Sequence, residues 1–337
     1  MSEGEKRRPG IVVSGMRPTG ALHLGHLLGT LRNWVSLQER FRCHFFVADW
    51  HVLTTDYAKP ADIERLASEM VLDWLAAGID PERTLVFRQS DVLEHAELAV
   101  LLGMITPVPW LERNPTYKEQ REQLRERDLS TYGFLGYPVL QAADILVHRG
   151  EAVPVGADQV PHVELTREIA RRFNHLYGEV FPEPRALLSP SPRVPGVDGR
   201  KMSKSYGNAI ALTEDPASVE RRLGRMATDP RRVRRTDPGD PADCPAFRLH
   251  QVYCTREEIA EVTEGCRTAG IGCLECKRVM IRHVLADLAQ HRERRERLAA
   301  RPGGVAAVLA EGRERARAGA AETMAEVRSA LGLRSST

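Results

Sequence analysis

Strand and helix signals alternate through the first ninety residues, and this alternation restricts the fold more than any other feature of the chain. Short apolar runs at residues 10–15, 44–50 and 85–87 predict strands, and apolar residues at helical spacing predict helices over 24–39 and 63–78. Helices of this length between strands form βαβ crossovers and therefore a parallel sheet. We predict an α/β fold with a Rossmann-like parallel sheet, whose ligand binds at the carboxyl ends of the strands.

The alternation is interrupted by an insertion at about residues 104–137, which is rich in Pro, Glu and Arg. Regular structure resumes with YPVLQAADILVH, and residues 155–174 then predict a strand, a loop and a helix. Pro, Gly and Ser are frequent in residues 182–199, so we expect a mobile loop there rather than part of the core.

Beyond Asn208 the apolar residues keep helical spacing, and Thr255 with Glu258 fits a capping box at the start of one helix. The chain is long enough for an α/β core and a second, smaller domain. We therefore predict a catalytic domain over residues 1–205, which contains the insertion, and an all-helical domain over residues 206–337.

The net charge of the chain limits which partners it can bind. A formal net charge of +2 on 337 residues excludes a polycation, so a nucleic-acid partner would need a local basic patch. The sequence has no stretch of about 18 apolar residues, so we expect a cytoplasmic protein with no membrane partner. One arginine-rich segment is either an RNA-binding patch or a solvated face: Arg221, Arg222, Arg225, Arg231, Arg232, Arg234 and Arg235.

The motif PTGALHLGHLLG, residues 18–29, lies where the first predicted strand turns into a helix. A helix N-terminus presents free N–H groups and partial positive charge, so it suits a phosphate. His23 and His26 share one face of the first turn and can donate to a polyphosphate, while Gly25 leaves room for a flat base near the backbone. The alternative is that both histidines decorate an exposed helix start.

A second motif, GRKMSKS at residues 199–205, contains two of only six lysines in a chain that otherwise uses arginine. A compact ammonium therefore matters in this loop. Lys201 and Lys204 can neutralise the charge that develops on a departing pyrophosphate, with help from Ser203. The alternative is a basic surface loop without a ligand.

Together the two motifs carry a family resemblance. HLGH resembles the HIGH signature of class I aminoacyl-tRNA synthetases, and KMSKS matches their second signature, about 175 residues later. Within that class SGMRPTGALHLGHLLG, YPVLQAADILV and VGADQ with the following ELTR resemble the tryptophanyl-tRNA synthetases. The resemblance is strong over about residues 11–208 and weak beyond them.

The resemblance implies a tryptophan pocket. The indole N–H of tryptophan only donates, so its site wants a buried acceptor between apolar walls, and Asp144 in QAADILV is of that kind. Asp144 would read the indole nitrogen, and Tyr137, Gln141 and Gln159 would hold the ammonium and carboxylate groups. His51 lines the same pocket or is a core histidine, and Asp144 is alternatively a helix N-cap.

The resemblance also implies an ATP site and a mechanism. The tryptophan carboxylate attacks the α-phosphorus of ATP, pyrophosphate leaves with Mg²⁺, and the ribose hydroxyl of tRNA(Trp) then attacks the adenylate. Lys118 aligns with a family lysine near the phosphates, or lies on a solvated helix face. Ala157 replaces a glutamate of many relatives, so it receives no role. The residues expected to bind ATP are Arg17, Gly25, Lys118, Gly156, Asp158, Met202, Ser203 and Ser205.

The cysteines cluster in the C-terminal region, where Cys266, Cys273 and Cys276 fall within eleven residues. Clustered thiols in a reducing compartment indicate a metal rather than disulfides. Some bacterial tryptophanyl-tRNA synthetases carry a [4Fe-4S] cluster on a similar cysteine frame, with zinc as the lesser alternative and free thiols as a third. Cys244 is the expected fourth ligand, and Cys254 competes with it.

Other functions remain open at this point. A tyrosyl-tRNA synthetase shares the fold and both signatures but needs a pocket for a phenol. A small nucleotidyltransferase would be shorter, and a non-catalytic paralogue would bind tryptophan or tRNA for regulation. The resemblance further implies a homodimer whose helical domain reads the anticodon.

Overall fold

The computed structural model describes residues 10–58, 62–114, 129–188 and 194–333, and its centre is a parallel sheet. The strands lie in the order β3-β2-β1-β4-β5, and each neighbouring pair is parallel. This confirms the predicted α/β fold. The strands are β1 (Ile11–Met16), β2 (Arg42–Val47), β3 (Thr84–Arg88), β4 (Ala152–Val155) and β5 (Arg185–Leu188).

Helices connect the strands and then form the whole C-terminal region. The first, α1, covers residues 24–37 as an α-helical turn, a π-helical segment and a second α-helical segment. The others are α2 (Trp50–Asp56), α3 (Ile63–Ala77), α4 (Glu94–Gly103), α5 (Val108–Glu112), α6 (Tyr132–Leu146), α7 (Val160–Tyr177), α8 (Pro216–Gly224), α9 (Pro245–Tyr253), α10 (Arg256–Arg267), α11 (Cys273–Ala299) and α12 (Gly304–Ala330). None of the helices within the described ranges has the length and apolarity needed to cross a membrane.

Each face of the sheet is covered by a separate core. Phe45 and Phe46 are neighbours in β2, and because successive strand residues point to opposite faces they belong to different cores. Burial on both faces explains why β2 has a continuous apolar run instead of an alternating pattern. The predicted strand at 44–50 ends early, at Val47, because the Asp49 side chain accepts a hydrogen bond from the Trp50 N–H and helix α2 begins there.

The C-terminal helices are not detached from the sheet. Helix α12 packs on β3, and Gly312 lies so close that a Cβ atom there would be 1.7 Å from the Val86 carbonyl oxygen. Only glycine permits this approach. Ala316 and Ala320 of α12 are buried in the same core as Phe87 of β3. The boundary at residues 205 and 206 stays a prediction, with one core running across it.

The stretch at residues 182–199 differs from the prediction. Arg185–Leu188 forms the edge strand β5, so the expectation that this stretch lies outside the sheet is wrong there. The reason is that an edge strand is half-exposed, so its apolar pattern is weak, while its backbone groups still pair with β4. Further on, residues 195–201 form a turn closed by a bridge between Pro195 and Lys201.

Candidate active site

A cavity of about 270 Å³ opens at the carboxyl edge of the sheet, beside the point where the strand order reverses between β1 and β4. This is where ligands bind in open α/β sheets. The volume is near the lower limit for small-molecule sites, about 300 Å³, and suits a single amino acid. The lining includes all five residues predicted to bind the amino acid, and is made of Gly15, Arg17, Phe46, Ala48, His51, Thr54, Tyr137, Gln141, Asp144 and Gln159.

Asp144 lies in the last turn of α6 and is 1% exposed. The N-cap of that helix is Thr131, whose side chain accepts from the Phe134 N–H. The alternative interpretation of Asp144 as an N-cap is therefore wrong, since its carboxylate points to side chains of other elements.

Three side chains donate hydrogen bonds to the Asp144 carboxylate. His51 Nε2 lies 2.8 Å from Oδ2, while Gln89 Nε2 and His95 Nδ1 each lie 2.7 Å from Oδ1. Burial opposes the charged form, but the bonds from His51 and His95 outweigh it and lower the pKa of Asp144 to about 2. An ionised carboxylate offers about four acceptor positions, so one remains for a donor in the cavity.

The histidine behind Asp144 is itself held by a second buried histidine. His95 Nε2 lies 3.1 Å from His148 Nε2. Burial, and then the nearby His95, hold the pKa of His148 well below its usual range, so that ring is neutral. The Nδ1–H of His95 is committed to Asp144, so its Nε2 accepts from His148 when His95 is neutral. One buried chain of hydrogen bonds thus fixes the orientation of the carboxylate.

His23 and His26 form the start of α1, and their rings are 3.8 Å apart. His23 is the N-cap: its Nδ1 accepts from the Gly25 N–H at 3.1 Å, and His26 Nδ1 accepts from the His23 N–H at 3.2 Å. Burial, followed by charged or histidine neighbours, lowers their pKa values to about 4 and about 3. Both rings are therefore neutral near pH 7, and because Nδ1 accepts, the proton is on Nε2, where it can be donated to a phosphate.

Gly25 has a further role that the motif alone did not indicate. A Cβ atom at this position would lie 2.9 Å from the His23 ring and 3.6 Å from Cβ of Met202. The glycine therefore leaves space for the histidine cap and brings the two motifs into contact.

The KMSKS loop lies against the first motif. Lys204 is exposed, its Nζ is 3.5 Å from Thr19 Oγ1, and partial desolvation lowers the pKa of the ammonium. It forms no ion pair in the part of the chain that the structure describes, so its charge is available for an anion. Met202 is buried in the core, Lys201 is exposed, and Ser203 Oγ lies 2.9 Å from Ser205 Oγ.

Comparisons with known proteins identify the family of this chain. A model of the family described as tRNA synthetases class I (W and Y) matches residues 5–287. The tryptophan–tRNA ligase of Thermotoga maritima is 54% identical, over 96% of this chain and 99% of the relative. That of Ralstonia nicotianae is 48% identical over the same shares. The chain belongs to the tryptophan–tRNA ligase family.

A solved structure of the same family has a similar fold. Tryptophanyl-tRNA synthetase from Campylobacter jejuni, complexed with ADP and tryptophan, gives a TM-score of 0.84 at 32% identity, covering 96% of this chain and 100% of the other. In this chain HLGH and KMSKS, about 175 residues apart in the sequence, lie against each other in the folded protein.

The other residues predicted to bind ATP do not all lie at one place in the structure. Arg17 lines the cavity and donates to Thr55 Oγ1 of α2 at 2.6 Å. Gly156 follows β4 directly, and a Cβ atom there would lie 2.6 Å from Asp158 Oδ1, so both stay close at this edge. Lys118 lies outside the described residues. The roles of these residues in this tryptophan–tRNA ligase family member stay predictions.

Asn208, which sequence reasoning missed, holds the KMSKS loop in shape. Its Oδ1 accepts from the Ser203 N–H at 2.7 Å, and its Nδ2 donates to Asp198 Oδ1 at 2.7 Å and to the Lys201 carbonyl at 3.2 Å. A Cβ atom on Gly196 would lie 2.3 Å from Asn208 Cγ, so the loop is built around this amide. Its place just after the motif was the one available signal.

Replacing Asn208 with Ala is expected to reduce kcat/KM for ATP by about 10–100-fold, because the loop loses three bonds that position Lys201 and Ser203. The KM for tryptophan should change little. Steady-state kinetics of adenylate formation measures both. Asn174→Ala is the matched control, since Asn174 also holds a loop by three hydrogen bonds but lies away from the cavity. Equal ATP kinetics in both variants would contradict a positioning role for Asn208.

Only some arginines of the predicted basic patch are exposed and without an ion pair among the described residues. Arg222, Arg231 and Arg235 form ion pairs with nearby carboxylates, and Arg232 is buried. The exposed arginines of the set that form no ion pair within the described ranges are Arg221, Arg225 and Arg234.

Proposed function

We propose that this protein activates L-tryptophan with ATP to tryptophanyl-adenylate and transfers the tryptophan to tRNA(Trp). The observation that carries the proposal is the buried, ionised Asp144, which keeps one acceptor position at the wall of a cavity of amino-acid size. Both signature motifs lie at the same sheet edge. The curated relatives at 48% and 54% identity bear the name tryptophan–tRNA ligase.

The donors around Asp144 account for selection of the amino acid. The indole N–H fills the open acceptor position, whereas phenylalanine would leave a buried carboxylate without that partner, which can cost 10⁴-fold or more. His51 orients Oδ2 and lines the cavity. Tyr137, Gln141 and Gln159 hold the ammonium and carboxylate groups of the substrate.

Adenylate formation relies on charge placement, not on a covalent enzyme intermediate. A carboxylate oxygen of tryptophan attacks the α-phosphorus, and the bond to the bridging oxygen breaks as magnesium pyrophosphate leaves. The Nε2–H groups of His23 and His26 donate to phosphate oxygens, and Lys201 and Lys204 offset the developing charge. A ribose hydroxyl of tRNA(Trp) then attacks the adenylate carbonyl, and AMP leaves.

ATP–pyrophosphate exchange tests the proposed function directly. The purified chain should exchange in the presence of tryptophan and not of tyrosine, and should charge tRNA(Trp). Exchange with tyrosine alone would assign the protein to the tyrosyl enzymes. Exchange with neither amino acid would point to a non-catalytic paralogue.

Four thiols in the helical region fit an iron–sulfur cluster. Burial, followed by the nearby Cys244, Cys266 and Cys273 thiols, raises the pKa of Cys276 to about 12, so the four form one electrostatic group. No three of these sulfur atoms lie within 4.8 Å of one another, whereas a mononuclear zinc site with 2.3 Å bonds needs about 3.8 Å. The proposed ligands of a [4Fe-4S] cluster are Cys244, Cys266, Cys273 and Cys276.

Two buried cations support the same assignment. Arg232 Nη1 lies 3.9 Å from Cys266 Sγ, and Lys277, next to Cys276, donates to the carbonyls of Gly224 and Met226. Neither cation forms an ion pair within the described ranges. A thiolate-ligated cluster is anionic and would balance them. When bound, the cluster would supply a cross-link within the helical region.

Iron and acid-labile sulfide analysis of anaerobically purified protein tests the cluster. The protein should be brown with about four iron atoms per chain. Cys244→Ser should lose the iron and Cys254→Ser should keep it. Iron loss on Cys254→Ser alone would make Cys254 the fourth ligand instead.

The remaining parts of the proposal concern assembly and location. The helical domain at residues 206–337 contacts tRNA, with Arg221, Arg225 and Arg234 available to phosphates, in a cytoplasmic homodimer. Sedimentation and salt-dependent tRNA binding of the full chain test these points.

A further inference from the structure

A second set of metal-type side chains lies beside the four cysteines. Cys254 Sγ, a carboxylate oxygen of Glu258 and a ring nitrogen of His283 lie within 4.8 Å of one another. His283 Nε2 is 3.0 Å and 2.8 Å from the two Glu258 oxygens. Across the described ranges this is the one such group of His, Cys, Asp or Glu. All three residues are half-buried.

These residues come from three elements that meet around α10. Cys254 is the C-cap of α9, Glu258 lies in the first turn of α10, and His283 lies in the middle of α11. Helix α10 has 12 residues but buries only Val262, so apolar packing holds it weakly. Its C-terminal end carries Cys266, and its N-terminal end carries Glu258. At that N-terminal end, the contact of Glu258 with His283 is the link to α11 that a bound ion would strengthen.

We propose that Cys254, Glu258 and His283 bind a divalent cation of the zinc class, at a site separate from the four-cysteine centre. Thiolate, imidazole and carboxylate together are ligands that zinc prefers over calcium or magnesium. Three protein ligands leave the fourth position to water. The ion joins the start of α10 to α11.

His250 stands between the two centres. Its Nδ1 lies 3.3 Å from Cys254 Sγ and its Nε2 lies 3.4 Å from Cys276 Sγ, and the ring is fully buried. The Nδ1 atom of this ring can orient the Cys254 sulfur from behind, as partners of metal ligands do. It also keeps Cys254 apart from Cys276. Arg282 lies 3.8 Å from Glu258 and is the one cation that competes for that carboxylate within the described ion pairs.

Ordinary helix capping explains only part of this arrangement. Glu258 Oε2 accepts from the Thr255 N–H at 3.0 Å, as a capping box requires. The cap needs neither the histidine at 2.8 Å nor a thiol. Cys254 and His283 are therefore the residues whose substitution separates the two roles.

The test uses the full chain, purified anaerobically with its iron content measured. Zinc titration in competition with a chromophoric chelator should give one zinc per chain beyond the iron, and Co²⁺ should show thiolate-to-metal charge transfer. Cys254→Ser and His283→Gln should each weaken zinc binding by at least about tenfold. His175→Gln, a surface histidine of α7, is the matched control and should bind zinc like the parent.

The measurement separates this site from the other centre. Zinc should raise the unfolding temperature of the parent but not of Cys254→Ser, because only the native site binds. Equal zinc affinity in Cys254→Ser would place the ion on the other cysteines and overturn the proposal. So would a parent protein that takes up no zinc, or a Co²⁺ spectrum without thiolate charge transfer. If Cys254→Ser fails to fold, His283→Gln and the parent spectrum still decide.

Discussion

Asp144→Asn should reduce kcat/KM for tryptophan in adenylate formation by about 10³-fold, equivalent to about 4 kcal/mol. Asparagine keeps the shape but replaces one acceptor oxygen with an NH₂ group. If the NH₂ group replaces Oδ1, it faces the donors Gln89 and His95. If it replaces Oδ2, it faces the donor His51 and the indole N–H. At least one buried donor is then left without a partner. The KM for ATP should stay within about twofold, since the phosphates bind elsewhere.

The control for this variant is Asp62→Asn. Asp62 is an exposed N-cap of α3, and asparagine caps a helix equally well. It should leave kinetics and unfolding temperature unchanged. Circular dichroism of Asp144→Asn verifies that the fold survives. A folded Asp144→Asn enzyme within about threefold of the parent for tryptophan would remove Asp144 from substrate recognition.

Lys204→Met is expected to lower kcat for adenylate formation by about 10²–10³-fold while the KM for tryptophan changes little. Methionine retains the apolar stem and removes the charge. The ammonium is exposed, lies 3.5 Å from Thr19 Oγ1 and has no carboxylate neighbour among the described ion pairs. We therefore expect its favourable interaction to be with the anion of the proposed reaction, most strongly as pyrophosphate leaves.

Two further variants sharpen this result. Arg65→Met removes an exposed cation whose one ion pair among the described residues is with Asp62, and should have no kinetic effect. Lys204→Arg keeps the charge but not its compact shape, so partial activity is expected. Rapid-quench measurement of adenylate formation is the appropriate assay. If Lys204→Met raised only the KM for ATP, Lys204 would bind the ground state and not the transition state.

The parts of the site that the sequence predicted are those with local signatures. HLGH and KMSKS are contiguous strings, and the sheet brings them together because carboxyl ends of parallel strands share one edge. The five residues expected to bind the substrate tryptophan were predicted by resemblance, and all of them line one cavity. Their roles in binding and catalysis remain predictions, which kinetic measurements on substituted proteins test.

The parts that were missed depend on contacts between distant segments. Gln89 and His95 reach Asp144 across 55 and 49 residues, and nothing in the strand–helix junction after β3 marks them as its donors. The same holds for His148, which looks like an ordinary residue after a helix. Periodicity identifies which face is buried but not which polar side chains meet there. The packing of α12 on β3 could not be predicted for the same reason, since the sequence of an alanine-rich helix does not indicate which element it packs against.

Burial of Met202 makes the KMSKS loop part of a larger body. Met202 belongs to one core with Leu24 of α1 and with Leu223 and Met280 of the helical region. Protein interiors are close-packed and transmit displacement. If tRNA binds the C-terminal helices as proposed, a shift of those helices would displace the lysine loop through this shared core, and binding of RNA would then alter the position of Lys201 and Lys204.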